Sequence, residues 1–401
     1  MPIIFSFLFL LGCMPPLYTK LPSPAYCIVP VADLLSERFS PTASRTAADF
    51  YAALPLSERQ PVSFCCRITQ LLFNERVTII EQRNDQSFIE VPFWYLKTPS
   101  PKSPGSINDR FWTLTKNLRP LSVLSPEARA TIPPTNLHAS EGKIVTLTMP
   151  WFCKETKTTY SAGTRFMGQT HDTAGYHIIL TNEGTSSDII TSVIPTQNAI
   201  PNKKRSLAEQ RILFVTTLRT WAQGIPHKIP YVWGGASIIQ TFTNPVFKEQ
   251  SFAIGKKKGI FFTRPECATT PQTGVDCSGL IRLGCKIAGI SLTATNSRSI
   301  VETLRQLSPT DTIREGDLIA WKGHLTVITD VKRGLMIEAR GYEHFYGYVQ
   351  EIPYEEQLQE IHTTEDLQRA LLKKKPLKRL DKKGKQRELI TDLKILSLFP
   401  A

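Results

Sequence analysis

Residues 274–280 read GVDCSGL, and the fold turns on what Cys277 is: a nucleophile, a disulfide partner or a buried filler. A thiol becomes a useful nucleophile when its pKa falls, and the free N–H groups and dipole of a helix N-terminus lower it. Asp276 and Ser278 flank Cys277 as helix-start residues, and Gly279 permits close approach of a backbone or substrate. The following LIRLGCKIAGI reads as a helix ending at Gly289, with Cys277 on its first turn and Cys285 two turns further on as packing.

Upstream, SLAEQRILFVTTLRTWAQGIP places Ile212, Leu213, Val215, Thr216, Leu218 and Trp221 at helical spacing, and Ser206 with Glu209 forms a capping box. Then come PYVWGGAS, a strand and turn, and a polar insertion over about 238–273. Its GKKKG lacks the spacing and the GK[ST] ending of a phosphate loop and reads as a solvated loop. Downstream, GDLIAW, HLTVITD and LMIEARG are three short β runs on tight connections. Helix, cysteine-bearing helix, then antiparallel sheet is an α+β order.

A thiol nucleophile needs a base. Of the seven histidines, His324 stands out because it opens a strand after a two-residue turn that follows Trp321. The next strand offers Glu338 as a polar side chain between apolar neighbours, suited to orient an imidazole.

The 401-residue chain exceeds one typical core and predicts several domains. Residues 21–130 and 131–205 read as two all-β units, with runs such as RVTIIEQ, SFIEVPFWYL, KIVTLTMPWF and YHIILTN separated by turn residues. Net charge is +13, but Lys373–Lys394 alone holds ten Lys/Arg against three Asp/Glu, so residues 356–401 read as a basic C-terminal tail, solvated or drawn to anionic membrane or wall polymer. No folded segment interleaves basic residues with stacking aromatics, which argues against nucleic acid as a partner. The eight cysteines show no CxxC pair and no zinc spacing, so no metal is expected; Cys65 and Cys66 read as small-hydrophobe packing. MPIIFSFLFLLGC, within residues 1–20, has the length of a signal h-region and ends in a lipobox-like LLGC at Cys13. It lacks a positive n-region, so export to a bacterial envelope stands beside a cytoplasmic alternative.

PYVWGGAS, GVDCSGL, GDLIAW with GHLTVI, and LMIEARG, in that order over about 206–355, resemble the NlpC/P60 cysteine peptidases, which have a papain-like core. RITQLLFNERVTIIEQ and YSAGTRF with YHIIL resemble the two bacterial SH3-type barrels that precede the catalytic domain in the branch cleaving γ-D-glutamyl-diamino acid bonds. The resemblance implies Cys277 as nucleophile, His324 as base and Glu338 as orienting residue, with Tyr231 near the oxyanion. Trp233, Asp276 and Ser278 occupy positions that hold the substrate's N-terminal L-alanine, and Glu75 is the implied partner of its ammonium group. Glutamate stands where the family usually has a third histidine, the insertion is longer than usual, and SLTATNSRS replaces the LPR-type motif. The implied substrate is a peptidoglycan stem peptide with a free L-Ala, cut without a cofactor by a monomer. Two alternatives stay open: a catalytically weak wall-binding protein, and a related thiol amidase or acyltransferase.

Overall fold

Alternation of apolar residues along short runs builds two antiparallel β units ahead of a mixed domain. The computed structural model describes residues 21–40, 46–52, 54, 67–94, 110–135, 142–181, 189–223, 228–241, 248–254, 257–263, 271–342 and 345–399. The lipobox-like segment with Cys13, and Cys65, Cys66 and Cys267, lie outside them. Among the described residues Cys27, Cys153, Cys277 and Cys285 are free thiols.

Strands between Ser23 and Pro120 form a seven-stranded sheet around Leu34, Leu71, Val77, Ile89 and Phe111. A short helix, Ala47–Ala52, interrupts this unit where only strands are expected. Strands between Ile144 and Pro201 form a five-stranded sheet and a separate hairpin around an aromatic cluster of Phe73, Trp151, Tyr160 and Phe166. Phe73 belongs to the first unit, so the two share packing.

The mixed domain begins with α1 (Leu207–Gln223), capped as the sequence predicts: the Ser206 N–H donates to Glu209 Oε2 at 2.8 Å and the Glu209 N–H to Ser206 Oγ at 3.3 Å. Its buried face is Phe214, Val215, Leu218, Trp221 and Ala222, while Ile212 is 67% exposed and Thr216 faces solvent. The spacing reading thus sits partly off the true face, because Phe214 with Leu218 and Trp221 satisfies the i, i+4, i+7 rule equally well.

Helix α2 (Cys277–Ala288) packs against α1 and buries Leu280, Ile281, Leu283 and Ile287. Each such side chain contributes about 2 kcal/mol of burial. Gly289 ends the helix in the left-handed conformation with φ +77°, as expected of a C-terminal glycine. Gly284 lets the helices close: a Cβ there would lie 2.8 Å from the Phe214 ring.

Strands β1 (Leu318–Trp321), β2 (His324–Asp330), β3 (Leu335–Ala339) and β4 (Val349–Pro353) pair antiparallel in sequence order. A further strand, β5 (Lys394–Ser397), inserts between β1 and the short strand Arg305–Gln306. The expected solvated basic tail is therefore part of the fold over residues 356–399. Helix Thr364–Leu372 and the hairpin of Leu377–Leu380 with Gln386–Ile390 cover the second face of the sheet, where Leu367, Leu377, Ile390 and Ile395 are buried. The charge count misled because a few buried apolar positions, among them Leu377 and Ile390, fix the chain while most of the lysines between them stay exposed. Within the insertion, Lys248–Ile254 and Lys257–Thr263 pair as a hairpin.

Val31 and Leu72 of the first unit and Ala162 of the second join the core around α1 and α2, so the N-terminal units contribute to the wall on which Cys277 is set.

Candidate active site

The site is built backbone against backbone. Asp276 is the N-cap of α2: its Oδ1 accepts from the Gly279 N–H at 2.7 Å and from Ser278 Oγ at 2.8 Å. Its Oδ2 accepts from the Gly234 N–H at 3.0 Å, and its own N–H donates to the Gly235 carbonyl at 3.0 Å. One carboxylate therefore starts the cysteine helix and clamps the WGG turn to it. Gly279 is required by this approach, since a Cβ would lie 1.9 Å from the Gly235 oxygen. Gly234 sits at φ +65°, with a Cβ position 2.7 Å from the Arg67 carbonyl oxygen. Burial raises the pKa of the Asp276 carboxyl, opposed by the hydrogen bonds from Gly279, Ser278 and Gly234.

Cys277 occupies the first helical position and is 9% exposed. Burial raises the pKa of its thiol well above the usual range, with neighbouring Asp276 adding to the shift; the backbone N–H groups of Leu325 and of the helix start oppose it. The helix N-terminus acts in the expected direction, but desolvation outweighs it, and the resting sulfur is a thiol. Leu325 directly follows His324 and shares a core cluster with Cys277, so β2 lies against the cysteine at its first residues.

His324 enters β2 through the turn Lys322–Gly323, opposite Trp321 in register, with the two rings 4.9 Å apart. It is 7% exposed, more enclosed than a strand-edge position suggests. Its Nε2–H donates to Glu338 Oε2 at 3.2 Å, which leaves Nδ1 to accept a proton. Burial lowers the pKa of the imidazole, while the hydrogen bond and charge of Glu338 raise it; the neutral base is the resting form at neutral pH. Glu338 is fully buried on β3 and also accepts from Gln357 Nε2, with Arg340 Nη1 at 3.7 Å.

Tyr231 pairs with Val275 through a backbone bridge, and its ring stands against Gly341 just beyond β3, bringing it beside both the cysteine helix and the Glu338 strand. Trp233 is half-buried, and its carbonyl accepts from Arg67 Nη1 at 3.0 Å. Ser278 is buried and spends its hydroxyl on Asp276. Thus Cys277, His324, Glu338, Tyr231, Trp233, Asp276 and Ser278 come together around the start of α2.

Glu75 does not join them. Its carboxylate pairs with Lys286 Nζ at 2.7 Å and accepts from the Leu72 N–H at 2.8 Å. Lys286 is nine residues after Cys277, about 13 Å along the helix axis. Lys286 and the Leu72 N–H together hold its pKa below the ordinary carboxylate value despite burial. The expected ammonium partner is therefore already an internal ion pair.

Residues outside the sequence motifs complete the frame. Arg67, fully buried, donates through Nε to Asp33 Oδ1 at 2.8 Å while holding the Trp233 carbonyl. Gln70 Oε1 accepts from the Ala236 N–H and Ser237 Oγ, and its Nε2 donates to Asp33. Gln357 braces Glu338 from beyond β4. Nothing local marks Asp33 or Gln357 in the sequence, since their partners are 34 and 19 residues away. Among the described residues no group of three or more His, Cys, Asp and Glu is placed to hold a metal ion.

The sequence model of the NlpC/P60 family matches residues 228–363. Among solved structures, an NlpC/P60 family protein from Bacillus cereus aligns over 82% of this chain and 94% of its own at 18% identity with a TM-score of 0.51, a likeness of fold. NlpC2 from Trichomonas vaginalis aligns over 83% and 94% at 11% identity and TM-score 0.30. The peptidoglycan hydrolase RipB from Mycobacterium tuberculosis aligns over 37% and 62% at 26% identity and TM-score 0.24. No curated protein matches the chain. The cysteine helix, the histidine strand and the glutamate strand all fall inside the matched span, and the chain carries an NlpC/P60 family domain at residues 228–363.

Proposed function

We propose that the protein is a cysteine endopeptidase hydrolysing the γ-D-Glu-diamino acid bond of peptidoglycan stem peptides. The observation that carries this reading is the His324–Glu338 pair on adjacent strands, laid against Cys277 at the first turn of α2.

The Cys277 thiol gives its proton to His324 Nδ1 as the sulfur attacks the amide carbonyl carbon. Glu338 holds the Nε2–H and stabilises the imidazolium. The C–N bond then breaks, the imidazolium protonates the leaving amine, and a thioester remains. Water attacks the thioester with its proton passing to His324, and the thiol leaves reprotonated. Such concerted transfer suits a resting thiol beside a neutral imidazole. Tyr231 would line the oxyanion side, and Trp233 and Asp276 would hold the L-alanine end. Glu75, whose carboxylate is engaged by Lys286, is not assigned the ammonium. The two β units act as SH3-type domains shaping the substrate end, through Arg67 on Trp233.

The test is hydrolysis of L-Ala-γ-D-Glu-meso-diaminopimelate by purified protein, beside its N-acetylated form and the Cys277→Ala variant. Release of L-Ala-D-Glu from the free peptide alone, dependent on Cys277, is the expected result. No release from either peptide overturns the reading in favour of a wall-binding protein or a different amide. Envelope localisation through Cys13 is a separate proposal, tested by lipid labelling of wild type and Cys13→Ala.

A further inference from the structure

A second cavity, of about 320 Å³, lies between the first β unit and the flank of α2. None of Cys277, His324 and Glu338 lines it. Its charged lining consists of Arg76, Arg165, Arg282 and Lys286 against one carboxylate, Glu75. That carboxylate pairs with Lys286 at 2.7 Å. Arg282 is satisfied by Thr69 Oγ1 at 2.6 Å and by the Trp94 ring at 4.2 Å, and Arg76 donates to the carbonyls of Ile132 and Pro133.

Arg165 is different. It is only 8% exposed, and its Nη1 has no hydrogen-bond partner. The opposite charge that acts on it is Glu75, which Lys286 and Arg282 draw on as well, so one carboxylate serves several cations; a guanidinium so placed gains through charge-assisted bonds to a further oxyanion. The remaining walls are apolar, with Val91, Leu283, Ile290 and Leu292 inside and the exposed ring of Phe93 at the margin.

We infer that this cavity is a ligand site for a small molecule bearing a compact oxyanion, phosphate or carboxylate, on an apolar body, with Arg165 as the principal anion contact. A cavity of this size, apolar with a few convergent polar groups, has the character of a small-molecule site. Burial pushes the Lys286 ammonium down to about 8, and Arg165 contributes in the same direction against the pull of Glu75, so the cavity carries a surplus of positive charge that a bound anion would relieve. The inference is independent of the peptidase reading, because none of these groups takes part in the reaction.

Titration calorimetry of the full-length protein with phenyl phosphate and with benzoate, at fixed ionic strength, tests it. Wild type should bind at least one probe saturably, and Arg165→Met should weaken that binding by about tenfold or more, the loss of a charge-assisted hydrogen bond. Leu292→Trp, which fills the cavity from its apolar wall, should weaken it independently of charge. Binding of phenyl phosphate alone assigns a phosphate ligand, and binding of benzoate alone assigns a carboxylate. Failure of both probes to bind wild type, or affinity unchanged in both variants, overturns the inference.

Discussion

His324 Nε2 lies 3.2 Å from Glu338 Oε2, and that carboxylate is entirely withdrawn from solvent. The same Oε2 accepts from Gln357 Nε2, and Arg340 Nη1 stands 3.7 Å from it, so the carboxylate is held from two further elements. The pair fixes the tautomer of the base and sets what its variants should do.

Glu338→Gln keeps an acceptor for the Nε2–H but removes the charge. Turnover should fall on the order of a hundredfold with a smaller change in KM, since the charge matters when the imidazolium forms. The carboxylate raises the His324 pKa against burial, so the acidic limb of kcat/KM should move to lower pH. A limb that stays in place, or moves up, would contradict the assigned role.

Cys277 should rest as a thiol. The ultraviolet thiolate absorbance that distinguishes wild type from Cys277→Ala should be absent at neutral pH and grow in only above the usual thiol range, because burial raises the pKa. A thiolate signal at neutral pH would instead indicate a standing thiolate–imidazolium pair.

His324 has a native pKa below the unfolded value of 6.5. Between the two values the unfolded chain binds more protons, so stability rises with pH through that window and is lost as pH falls below 6.5. Denaturant midpoints of wild type should drop across this interval more than those of His324→Gln. Parallel losses in the two proteins would remove His324 from the acid sensitivity.

Gly279→Ala should destabilise the NlpC/P60 domain by about 3 kcal/mol or more, because its Cβ would meet the Gly235 oxygen, a backbone atom with no rotamer to escape into. Chemical denaturation followed by tryptophan fluorescence measures it; a variant within experimental error of wild type would mean that the WGG turn can withdraw from the helix.

From the sequence come the places of three residues on their elements. Cys277 at a helix start, His324 at a strand start and Glu338 on the next strand were legible because each depends on local signals: a cap, a tight turn, an alternating run. The order of helix and hairpin-connected strands was legible for the same reason, through hydrophobic periodicity and the glycines of WGG and DCSG. The rest depends on partners distant in the chain. Periodicity does not say that β5, some 70 residues past β1, inserts beside it and ties the basic run before it into the fold, because sheet neighbours are chosen by burial across long separations. Nor does it say that Lys286, 211 residues from Glu75, reaches it before any substrate can. The sign of the Cys277 shift was decided the same way: the helix N-terminus is a local feature, but the desolvation that outweighs it comes from every element packed around the sulfur.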